Sequence, residues 1–367
     1  MAEPTDRTMD AAMETKLTIV VPTYNRYPLL ARLLRYYRAC GAPVPMHILD
    51  SSRNGPPDPE VERLIVAPGI TYTRYDADMR PIPKLHEGLQ GVTTPYAVLW
   101  ADDDLMVPCS LGLAAQFLEE HGDFSVAHGR SGLFRVDASK DGRVTMEVGP
   151  SFRRSCTDET AAARLRSHVT VGGSLFYSVH RTEWLRQNVE RCTRRGFGYY
   201  WAELTLAWLA MIQGKAKSLD CLYMLRQMHG VRAAGWSQTG TFDQFDWITR
   251  PGFPEQYAAF REELAEELAR QDGLSLDDAR AVVKEAFWAY LAQVMMRKWQ
   301  TRYGPRVVTV RDRLRGVARL LPGLRGAWRT LHSVLPGRSR QMSVEVLRRP
   351  SSPYHVDFLP IYQAIVQ

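Results

Sequence analysis

Trp100-Ala101-Asp102-Asp103-Asp104 decides the fold, because three consecutive carboxylates leave the apolar run Tyr96-Ala97-Val98-Leu99-Trp100. An uninterrupted apolar run of this length reads as a buried strand. The acids then stand at its carboxyl end, where open α/β sheets gather their ligands. Adjacent Asp side chains repel one another and call for compensating positive charge. A hard divalent cation such as Mg²⁺ or Mn²⁺ accepts carboxylate oxygens and leaves other coordination sites to phosphate and water. A strand ending in such a cluster points to a substrate that carries a diphosphate. A solvated Asp-rich turn is the plain alternative.

Working outward, Lys16-Leu17-Thr18-Ile19-Val20-Val21 is strand-like and stops at Pro22-Thr23-Tyr24-Asn25-Arg26. Residues 29–37 carry apolar side chains at helical spacing, and Met46-His47-Ile48-Leu49 is a second strand, ending at Asp50-Ser51-Ser52. A brief helix over 61–66, a strand over 70–75, and helices over 85–90 and 111–120 continue the alternation. Strand and helix in turn, with connections this short, predict a mostly parallel sheet covered by helices on both faces. Beyond Asp123 the pattern changes. Residues 124–128, 132–136 and 144–148 predict short strands around Gly turns, and 170–179 a strand containing Gly172-Gly173. Residues 200–212 predict a helix, 222–228 a short element, and 256–271 and 276–299 long helices.

With 367 residues, 45% of them hydrophobic, the chain has ample material for a core, and its 24% charged content is that of a globular protein. No stretch approaches the ~18 apolar residues needed to cross a bilayer, and the first residues lack a secretory pattern. Residues 1–15 read as a loose tail. Cys40, Cys109, Cys156, Cys192 and Cys221 form an odd set without a CxxC pair. This predicts reduced thiols and a cytoplasmic setting. The net charge of +7 is concentrated. Residues 306–349 hold eleven Arg against Asp312 and Glu345, a local +9, so the remainder carries about −2. A nucleic-acid partner is therefore not expected for the body of the chain.

Three strand ends thus bear polar groups: residues 22–26, 50–52 and 102–104. The first leads into a helix N-terminus, which favours anions. Together they resemble the GT-A nucleotide-sugar glycosyltransferases, specifically the family-2-like members, over roughly residues 16–230. In that family a strand ending in "VVPTYNR" opens the domain, as residues 20–26 do here, and the Asp-x-Asp signature is similar to Asp102-Asp103-Asp104. The resemblance implies a GT-A fold, a Rossmann-like mostly parallel sheet with a helical C-terminal extension. With the helical pattern and the Arg content of the later residues, it divides the chain into a catalytic domain over 16–255, a helical extension over 256–300 and an Arg-rich amphipathic tail over 301–367.

For the site, the resemblance gives Pro22, Thr23, Tyr24, Asn25, Arg26, Asp50 and Asp102 to the nucleotide sugar, Asp50 as a base contact. Asp102, Asp103 and Asp104 would hold Mn²⁺ or Mg²⁺, with His229 completing the metal shell or touching the diphosphate. Family members carry Asn-x-Gly ahead of the metal strand; this chain has His86-Glu87-Gly88, which brings His86 toward the nucleotide and Lys84 toward the phosphates. A helix histidine and a solvated lysine are the plain readings of those two. Tyr200-Trp201-Ala202-Glu203-Leu204 resembles the element that supplies the catalytic acid. Glu203 would be the general base for an acceptor hydroxyl, with Ala202 where the family has another acid. Arg226 would balance phosphate charge or pair with a surface acid.

The expected activity is metal-dependent, inverting transfer from a nucleotide sugar to a glycan or lipid-linked acceptor, in bacterial surface-glycan or polysaccharide synthesis. The alternative is a degenerate transferase serving as a membrane-associated assembly partner. Asp76-Ala77-Asp78 superficially matches the haloacid-dehalogenase-type phosphatases, but it lacks the following Thr or Val and sits in a Pro-rich loop. In the tail, Val310, Leu314, Val317, Leu320 and Leu321 share one helical face among Arg311, Arg313, Arg315 and Arg319. Such a segment predicts either peripheral contact with the inner face of the membrane or a helix packed on the body.

Overall fold

The computed structural model describes residues 16–41, 44–57, 59–138, 144–151, 154–171, 175–228, 244–302 and 343–366. Strand β1 (Leu17–Thr23) is buried almost throughout and pairs in parallel with β2 (Met46–Asp50) on one side and β4 (Tyr96–Leu99) on the other. Strand β3 (Ile70–Arg74) extends this parallel set beyond β2. Helices α1 (Tyr27–Ala39), α2 (Pro59–Ile65) and α3 (Pro81–Gln90) make the crossovers. Each begins with a proline in its first turn, whose missing N–H costs nothing where no intrahelical partner exists.

Register is what assembles the functional end of this sheet. Thr23 lies opposite Asp50, and Val20 opposite Leu99, so the chain segments leaving β1, β2 and β4 emerge at one level. Trp100, just past β4, is fully buried and packs edge-on against Tyr36 and Tyr37 of α1, each at 6.4 Å between ring centres.

The other half of the sheet is mixed. The order is β3-β2-β1-β4-β8-β6-β9-β5, with β7 attached to β6. Strand β8 (Val179–Arg181) runs antiparallel to both β4 and β6, whereas β9 (Lys215–Gln227) runs parallel to β6 and antiparallel to β5 (Leu105–Met106). The two short strands expected over 124–136 are one strand, β6 (Phe124–Ala138), hydrogen-bonded on its far side to β7 (Val144–Ser151). Gly129, which reads as a turn, is instead a close approach. A Cβ there would lie 2.7 Å from Cys221 Sγ and 2.8 Å from the Cys221 carbonyl. Residues 170–179 are likewise not a strand. Helix α5 (Ala161–Val171) takes their start, and only β8 follows; Gly172-Gly173 lies outside the described residues.

Helix α4 (Pro108–Glu120) covers the mixed half, and α6 (Thr182–Arg194) packs against α3 and α7 (Tyr199–Gln213). Helices α9 (Phe253–Asp272) and α10 (Leu276–Arg302) close over α7 through Trp201, Trp208, Phe260 and Phe287, with α8 (Gln244–Ile248) adding Trp247. Rings of this size bury a large apolar area, so the helical extension shares the core of the sheet domain. Beyond it, the short α11 (Val344–Leu347) leads to α12 (His355–Val366), which packs on α1, and Tyr354 donates to Asp220 at 2.9 Å. All five cysteines are free thiols. Among the described residues no helix is long and apolar enough to cross a membrane.

Candidate active site

The loop after β1 is held by its neighbour after β2. Asn25 adopts a left-handed backbone (φ 53°), a conformation that Asn tolerates better than most residues. Its N–H donates to Ser52 Oγ at 2.7 Å, and its own Oδ1 accepts from the Arg53 N–H at 3.0 Å. Tyr24 donates its hydroxyl to Asp78, which also accepts from Arg53 at 3.0 Å. Pro22 sits within β1, half-buried above the same loop.

Asp50 is fully buried beneath these loops. Its carboxylate accepts from Tyr27 Oη at 2.7 Å, Tyr72 Oη at 2.6 Å and the Ser52 N–H at 2.8 Å. Burial alone would raise its pKa, but these donors outweigh burial and hold it below the ordinary carboxylate value. Both oxygens expected to meet a base are thus engaged by protein donors. Lys84 is also buried, its ammonium donating to the Thr23 carbonyl at 2.6 Å and Ser51 Oγ at 2.7 Å. Burial lowers its pKa to about 8, against the pull of Asp50 and Asp102. Lys84 therefore ties the ends of β1 and β2 together from below, inside the fold. His86, one residue pair further along α3, is half-buried, and its Nδ1 is shielded from solvent without a protein partner. Glu87 is exposed.

The acid loop is stapled by Trp100, whose indole N–H donates to the Asp104 carbonyl at 2.9 Å, while the Asp104 N–H closes a turn on Ala101 at 3.1 Å. The turn sends the three carboxylates in two directions. Asp102 is buried, accepts from Thr23 Oγ1 at 2.7 Å and pairs with Arg26 at 3.2 Å; Asp103 pairs with the same guanidinium. Asp104 faces the end of β9, where it accepts from the Gln227 N–H at 2.8 Å and from Arg226 at 3.3 Å. Arg32 braces the turn by donating to the Asp103 carbonyl and to Gln227 Oε1, both at 2.7 Å. Burial pushes Asp102 up to about 6, opposed by Arg26, and Asp104 up to about 7, opposed by Arg226.

Asp102 and Asp103 fit a hard cation chemically. Their oxygens already converge on one positive group, the Arg26 guanidinium, which is about one-quarter exposed. Asp104 does not join them. Among the described residues no three His, Cys, Asp or Glu side chains gather in a metal-binding arrangement, and His229 lies outside the described residues.

Glu203 stands half-buried in the first turns of α7, which opens at Gly198 and the exposed Tyr199 and Tyr200. It meets the acid loop through Arg226. That guanidinium is bonded to Asp104, lies 4.6 Å from the centre of the Tyr177 ring, and is within electrostatic reach of Glu203. Burial lowers its pKa, but Tyr177, Asp104, Glu203 and Tyr199 outweigh burial and hold it above its ordinary value. Tyr177 and Tyr199 approach each other at 3.4 Å between hydroxyls. The sequence singles out Glu203 and Arg226 but gives no signal for Tyr177, whose run reads as strand; only the fold brings it over Arg226.

No protein-family model matches this chain, and no curated relative matches it in sequence. Solved structures do resemble it in shape. One is S. aureus TarS 1-349 in complex with UDP-GlcNAc, with a TM-score of 0.50 at 14% identity over 78% of this chain and 76% of that one. The same protein in complex with UDP also gives 0.50, at 15% identity over 81% and 77% of the two chains. At this identity the likeness speaks for the fold. The chain has the α/β GT-A glycosyltransferase fold, with a helical C-terminal region.

Proposed function

We propose that this chain transfers a sugar from a nucleotide-sugar donor to an acceptor hydroxyl. The observation that carries the reading is convergence. The β1 and β2 loops, the acid pair on Arg26, and the Asp104–Arg226–Glu203 group all meet at the carboxyl end of one sheet. The TarS structures hold UDP-GlcNAc or UDP, so a uridine donor is the first to test. Asn25 and the N-terminus of α1 would line the approach for a diphosphate, while the buried Thr23 holds Asp102.

Asp102 and Asp103 would hold Mn²⁺ or Mg²⁺, which when bound neutralises charge on the leaving diphosphate. Glu203 takes the proton from the acceptor hydroxyl as its oxygen attacks the anomeric carbon. Arg226 stays fixed on Asp104 between the two groups. Attack opposite the leaving diphosphate inverts the anomeric centre. The acceptor is a glycan or lipid-linked glycan of bacterial surface-polysaccharide synthesis, reached from the cytoplasmic side, with residues 306–349 in peripheral contact with the membrane.

The experiment is a thermal-shift series with UDP, GDP, dTDP, CDP and CMP, each with and without Mn²⁺. One nucleotide should raise Tm, and Asp103→Asn should abolish the Mn²⁺-dependent part of that rise. Absence of any shift with every nucleotide would remove the reading.

A further inference from the structure

Helix α10 has two faces of different kinds. Ala279, Val283, Ala286, Phe287 and Leu291 are buried against the helical layer. Turning toward its C-terminal half, the opposite face is also apolar yet faces solvent: Trp288 is 63% exposed, Met296 55% and Trp299 52%, with Ala292 exposed between them. At 100° per residue these four side chains fall within about a quarter of the helix circumference. A soluble surface rarely sets two Trp and a Met in one exposed stripe without a partner.

The chain directly after α10 indicates the partner's chemistry. Residues 303–342 contain nine Arg and a single acid, Asp312. A second copy of this chain would carry the same excess of positive charge and be repelled. An anionic surface is drawn to it, since each Arg near a charged bilayer adds attraction. Tryptophan suits that boundary, since its ring prefers the headgroup level where one edge is apolar and the other wet.

We infer that the outward face of α10 docks on an anionic lipid surface, with Trp288 and Trp299 inserted at headgroup depth. This builds on the peripheral-membrane reading of residues 306–349 and adds a rigid apolar contact to it.

Flotation of the full-length protein tests this with vesicles of phosphatidylcholine alone and of equal parts phosphatidylcholine and phosphatidylglycerol. The protein should float only with the mixed vesicles. Trp288→Ser/Trp299→Ser should lower its partitioning about tenfold or more, given the apolar area removed from the interface. Its nucleotide-induced thermal shift should be unchanged. Flotation of the double variant equal to the parent's would overturn the inference. If Arg313→Gln/Arg315→Gln/Arg319→Gln alone then abolished flotation, the tail reading would survive without it. Absence of flotation by the parent would end both. A concentration-dependent dimer in sedimentation, abolished by the double Trp change, would make the stripe a contact between copies and overturn the lipid assignment.

Discussion

Arg26 and Arg226 stand on opposite sides of one acid run, and they compensate it in different ways. Arg26 belongs to a loop and bridges Asp102 and Asp103. Arg226 belongs to β9, pairs with Asp104 and lies against the Tyr177 ring, while the neighbouring Gln227 N–H grips the same carboxylate. Their side chains are similarly accessible, 24% and 33% exposed. What separates them is how many other contacts fix each one. A guanidinium held by two carboxylates alone can yield them to a divalent ion. One held by a strand, a ring and a shared carboxylate stays. On the proposed function, the nucleotide side of the site is exchangeable in charge and the acceptor side is built in.

The sharpest way to break this contrast is Glu203→Gln. Removing a general base should cost on the order of 10³-fold in turnover while nucleotide binding holds, as measured by transfer kinetics beside nucleotide titration. Loss of binding together with turnover would move Glu203 to the nucleotide side. Next comes Arg26→Ala. Freeing Asp102 and Asp103 from a competing guanidinium should let Mn²⁺ bind several-fold more tightly in calorimetric titration without nucleotide. Weaker Mn²⁺ binding would mean that Arg26 supports the cation site rather than competing for it.

The smallest effect concerns pH. Asp104, with its pKa pushed up to about 7 by burial, contributes stability that is present below its unfolded value near 4. That contribution is lost as pH rises through 7, since the buried carboxylate must then ionise. Asn at this position stays neutral. The Tm of Asp104→Asn relative to the parent should therefore climb between pH 4 and pH 8 in metal-free buffer. A flat or falling difference would show that Arg226 compensates the charge fully.

Much of the fold was legible from local pattern. Runs such as Ile19–Val21 and Tyr96–Leu99 are apolar without interruption because both faces of a parallel strand are covered, and polar residues begin where the strand leaves the core. The mixed half was less legible. Gly129 looks like punctuation, yet it sits inside a strand because a neighbouring strand passes too close for a Cβ. The strand-like 170–179 stretch begins within helix α5, which ends in the β-branched run Val169, Thr170 and Val171 although such residues favour strands.

By itself the sequence determined the alternation of strand and helix in the parallel half and the position of the acids at a strand end, and its resemblance to a known family made Glu203 a candidate. The first two follow from hydrophobic periodicity and from residue types within a few positions of one another. Only the tertiary structure decided that Asp102 and Asp103 share Arg26 while Asp104 turns to Arg226. It alone buried Lys84 and Asp50 beneath the β1 and β2 loops, and left Trp288 and Trp299 in solvent. The direction a side chain takes depends on register and on groups brought from far along the chain, such as Gln227 reaching Asp104 across 123 positions. No local spacing encodes that.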